Sequence, residues 1–103
     1  MSGMPGRPAT YQNIYEYIDE IEGNILAGAG LEAARQALQT IIAYIPPADP
    51  EAAFIVPRLQ YLLGLSYEIE GRADEAVEAY LALIQSAPQS AWSWLAWTRL
   101  AAP

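Results

Sequence analysis

Residues 57–90 read PRLQYLLGLSYEIEGRADEAVEAYLALIQSAPQS, and this stretch decides the fold. Two helical patterns share it. In the first, Leu63, Gly64 and Tyr67 fall on one face by the three-and-four spacing of a helix. Gly71 closes that helix, because Gly accepts turn conformations that other residues resist. Asp74 and Glu75 then complement the dipole at the start of a second helix, whose apolar stripe is Ala76, Val77, Tyr80, Leu83, Ile84 and Ala87. Pro88 ends it. The pattern predicts that Gly64 lets the second helix approach closely, with Ala76 as the matching small side chain and Tyr80 as the bulk.

Working outward, Asp49-Pro50-Glu51 is a helix start: an acceptor for open amides, a proline suited to the first position, and an acid at the positive end of the dipole. The helix it opens runs to about Glu70, with a lead-in over 50–56 and a kink expected at Pro57. Further upstream, Ile14, Tyr15, Ile18, Ile21 and Ile25 mark a helix over about 10–26. Leu31, Ala34, Leu38, Ile41, Ile42 and Ile45 mark another over about 31–45, which Pro46-Pro47 stops. Downstream, Ser90 is a cap for a helix over 90–102 carrying Trp92, Trp94, Leu95, Trp97 and Leu100. Residues 1–9, rich in Gly and Pro, read as a flexible tail. No strand alternation appears, so the class is all-α with five helices.

The 57–90 stretch resembles one tetratricopeptide repeat, through Leu63-Gly64, Tyr67, Gly71, Ala76, Tyr80 and Pro88. Gln60 departs from it, standing where the family carries a large apolar residue. Trp94 lies 34 residues after Gln60 and Trp97 lies 34 after Leu63, so helix 90–102 resembles the first half of a following repeat. The pair over 10–46 has the same plan, with Ala34 and Leu38 standing for Ala76 and Tyr80, and Pro46 for Pro88. The resemblance implies antiparallel helix pairs of the α-solenoid type; the alternative is an ordinary helical bundle. It also implies a concave face built from the first helix of each pair. Here that face is Arg58, Tyr61, Leu65 and Glu68, joined on the same side by Glu16, Asp19 and Glu20.

Five Arg and no Lys stand against twelve Asp and Glu, for a net charge of −7. Such a field repels nucleic acid and anionic membranes and favours a basic or mixed polypeptide partner. The clamp of Lys, Arg and Asn with which some family members hold acidic chaperone tails has no Lys to build it. Without His, Cys or Lys the chain lacks the usual general base, thiol nucleophile and Schiff-base amine, and no enzyme activity or cofactor is expected. The pairs Glu16 with Glu20 and Glu75 with Glu78 read as solvated charge, with no calcium-type loop and hence no metal site. Neither a leader nor an apolar run long enough to span a bilayer is present, so a soluble cytoplasmic protein is expected.

The function that follows is non-catalytic protein–protein interaction, with the concave face taking a peptide segment or helix of a partner. Self-association into a homodimer is the alternative. It rests on helix 90–102, whose Trp94 and Trp97 are expected to turn toward the preceding pair while Trp92 and Leu95 point away, uncovered by any later helix.

Overall fold

A computed structural model describes residues 8–102, with side chains over 13–102, and the fold is all-α. The helices are α1 (Pro8–Leu26), α2 (Leu31–Tyr44), α3 (Ala52–Glu70), α4 (Ala73–Ser86) and α5 (Ala91–Ala101). Of the tail expected over 1–9, residues 1–7 lie outside the described residues, while Pro8 and Ala9 belong to α1. Asp49 accepts from the Glu51 amide at 2.9 Å and leads into α3, and Ser90 accepts from the Trp92 amide at 3.1 Å as the cap of α5. Gly71 ends α3 at φ 88°, a left-handed conformation, which lets the Arg72 amide reach back to the Tyr67 carbonyl at 2.8 Å. α3 runs unbroken through Pro57. The proline falls in its second turn, where only one intrahelical bond is lost.

Each helix touches only its neighbours in a stacked order: α1 with α2 and α3, α2 with α3, α3 with α4 and α5, and α4 with α5. Among the described residues α1 and α2 make no contact with α4 or α5, so the pairs form an open stack and not a closed bundle. The 17 Å short axis is two helix layers deep. α3 is the centre of the stack. Its Ile55, Leu59, Leu62 and Leu65 complete a core with Ile18, Ile21 and Ile25 of α1 and Leu38 and Ile41 of α2. Its Tyr61 and Tyr67 pack on a second core of Ala76, Tyr80 and Leu83 from α4 and Ala96 from α5.

Two contacts lock the stack. Gly64 lies against the Tyr80 ring so closely that a Cβ at residue 64 would overlap it, which is the close approach the glycine implied. Arg35, 3% exposed, ties α2 to α3: its guanidinium meets Glu70 at 2.6 Å and Ser66 at 3.2 Å and covers the Tyr67 ring at 4.4 Å. Arg72 lies 5.0 Å from the centre of the same Tyr67 ring. A buried cation costs several kcal/mol of desolvation unless so engaged, and these partners offset it.

Candidate functional site

The first helices of the pairs, α1 and α3, together with α5, line one side of the stack. On α3, Arg58, Tyr61, Leu65 and Glu68 share a face by spacing. Arg58 reaches across to α1 and meets Asp19 and Glu22, each at 2.7 Å. Glu68 reaches the other way, accepting from the Arg99 guanidinium of α5 at 2.6 and 3.1 Å and from the Tyr80 hydroxyl at 2.8 Å. At the α1–α3 edge the Tyr15 hydroxyl donates to Glu51 at 2.9 Å. This side is therefore cross-braced. The hydrogen bond from Arg99 holds the Glu68 carboxyl below its usual value against the opposing effect of burial. Burial and the adjacent Glu68 hold the Tyr80 phenol far above its own.

Between the braces lies an aromatic strip. Tyr61 sits 5.8 Å from Tyr80 and 5.6 Å from Trp92, ring centre to ring centre, and Arg58 lies 5.9 Å over Trp92. Both ring pairs are tilted, with their centres inside the range of attractive aromatic contacts. The bridging carboxylates Asp19, Glu22, Glu51 and Glu68 outnumber Arg58 and Arg99, so the face keeps a negative surplus. The four described arginines are all held in ion pairs. Among the described residues no cluster of three carboxylates could hold a metal ion.

Several residues stand elsewhere than expected. Leu65, placed on the partner face, is 7% exposed and belongs to the α1–α2–α3 core, because α3 is covered by neighbours on most of its circumference. Glu20 lines a crevice with Ala33 and Ala37 at the α1–α2 seam. Glu16 shares that stripe by its four-residue spacing, so only Asp19 of the three α1 acids meets α3.

The phase of α5 is also reversed. Trp92, expected outside, packs on Tyr61 and the second core, whereas Trp94 and Trp97, expected inside, are 68% and 53% exposed. Leu95 is exposed as expected, while Trp92 is half-buried beside Tyr61. The physical reason is in the 34-residue spacing. Gln60 meets Ser86 of its own following helix α4 at 3.4 Å, and Trp94, 34 residues on, is turned outward by the same spacing. Trp92 lies beside Tyr61 and under Arg58, on the inner face. Glu22 and Arg99 were missed for a simpler reason: no local motif marks an ion pair between residues 31 or more positions apart.

No protein-family model, curated protein or solved structure matches the chain. No described helix is long and apolar enough to cross a membrane.

Proposed function

We propose that the protein is a non-catalytic interaction module of the tetratricopeptide-repeat kind, working in the cytoplasm, whose inner face binds a basic or mixed polypeptide segment. The observation that carries this reading is the Tyr61–Trp92 strip set among braced carboxylates on the side shared by α1, α3 and α5. Aromatic rings supply apolar contact at little entropic cost, and surplus carboxylates favour cationic segments. The braces hold the face in one shape before binding, which lowers the ordering cost of association. An acidic tail has no unpaired described arginine to meet.

The test is a peptide array of basic, neutral and acidic segments, followed by titration of the strongest binders. Basic and mixed peptides are expected to bind, to weaken with salt, and to lose affinity with Tyr61→Leu. Preference for acidic peptides would overturn the reading. Self-association through Trp92 and Leu95 is a weaker alternative, since a symmetric contact there would set the surplus carboxylates of two inner faces against each other.

A further inference from the structure

A group of exposed apolar side chains lies away from the inner face, at the end of the stack formed by α4 and α5. On α4, Ile84 and Ala87 turn into the second core, and Val77 and Leu81 lie one step round the helix, both exposed. On α5, Ser93 and Ala96 turn toward α4, with the Ser93 hydroxyl on the Leu83 carbonyl at 3.3 Å, and Trp97 and then Trp94 follow one step round. The two helices run antiparallel, which sets Leu81 level with Trp97. Helical spacing thus sets a valley between Val77 and Leu81 on α4 and the two exposed tryptophans on α5. The tryptophans alone offer about 250 Å² of exposed ring, and Val77 and Leu81 add to it.

We infer that this valley is a second docking site, which takes an amphipathic helix of another protein with a small-residue apolar face and basic flanks. Shape sets the first requirement. Where α3 and α4 meet, the glycine is on α3 and the bulk, Tyr80, on α4. At the α5 counterparts of Gln60, Leu63 and Gly64 stand Trp94, Trp97 and Thr98, so the bulk is already on the near side and the incoming helix must be small-faced. Charge sets the second. Asp74, Val77, Glu78 and Leu81 share one stripe of α4 by spacing, and no described cation pairs with Asp74 or Glu78. A second copy of the chain would bring the same acids and a net charge of −7 against them. A helix with Lys or Arg on its flanks meets both requirements.

The probe is a synthetic peptide with the α4 sequence of residues 73–86 carrying Tyr80→Ala, Asp74→Lys, Glu75→Lys and Glu78→Lys; the control carries Tyr80→Ala alone. Calorimetric titration of the full chain is expected to show binding of the cationic peptide, about tenfold weaker for the acidic control from the charge difference. Trp94→Gln and Trp97→Gln are each expected to cost about thirtyfold in affinity. Their melting curves should match that of the unmodified chain, since both rings are exposed. Three results would overturn the inference: no binding of the cationic peptide, equal binding of the acidic control, or a dimer of the unmodified chain that Trp97→Gln dissociates. Binding here is independent of Tyr61, so Tyr61→Leu separates this site from the inner face.

Discussion

Replacing Gly64 by Ala adds one methyl group where α3 meets the Tyr80 ring of α4. The new Cβ overlaps the Tyr80 ring, and that ring has little room to yield: it is 2% exposed, and its hydroxyl is fixed to Glu68 at 2.8 Å. Either the ring rotates and gives up the hydrogen bond, or α4 moves off α3 and opens the second core. Overpacking of this kind costs about 1–3 kcal/mol, and a hydrogen bond to a charged acceptor is worth about 1.5 kcal/mol more if it breaks. Alanine returns about 1 kcal/mol through its higher helix propensity. The net expectation is a loss of about 1–3 kcal/mol, or a melting point lower by about 5–15 °C for a domain of this size. Gly64→Leu should be worse. Gly23→Ala is the matched control, a glycine inside α1 with nothing within 4 Å of the added atom; it should stabilise by about 0.5–1 kcal/mol. Thermal and urea denaturation followed by far-ultraviolet circular dichroism reads both. If Gly64→Ala is as stable as the unmodified chain, the α3–α4 contact is not as close as described.

Trp92→Ala should cost about 2 kcal/mol, part of the 3–5 expected of a fully buried aromatic, whereas Trp97→Ala should cost under about 1 kcal/mol; urea melts that reverse this order would contradict the phase of α5. Arg35→Met keeps the buried stem, leaves the partly exposed Glu70 to water, and should stay within about 1.5 kcal/mol of the unmodified chain, while Arg35→Ala should lose clearly more in the same melts. The Glu68 carboxyl is held below its ordinary value by Arg99, so its stabilising effect is present above about pH 5 and is lost as pH falls through the acid range. Glu68→Gln should flatten that part of the stability profile, and an unchanged acid limb would remove Glu68 from the account.

The helices were legible because their signals are local. Asp49 and Ser90 announce helix starts through side-chain acceptors and Gly71 a helix end through its backbone freedom, and Gly64 announces a close contact through its size. The inner face was legible only in part. Spacing places Leu65 beside Arg58 and Tyr61, but whether a residue on that face is covered depends on how α1 lies across it, which no residue near Leu65 encodes. The orientation of α5 failed on a different point. The 34-residue spacing pairs Trp94 with Gln60, and Gln60 meets Ser86 of the helix that follows it. The match of Trp94 and Trp97 to core positions of the repeat suggested burial, and the stack left both tryptophans outside.

The central claim, a braced inner face that binds cationic segments, is most directly tested with Trp92 as its reporter. Trp94→Phe with Trp97→Phe leaves Trp92 as the sole tryptophan, beside Tyr61 and under Arg58. Titrating that variant with array-selected basic peptides should produce a saturable change in tryptophan emission that added salt weakens. Emission that stays constant while the same peptides bind by calorimetry, or that responds only to acidic peptides, would contradict the claim.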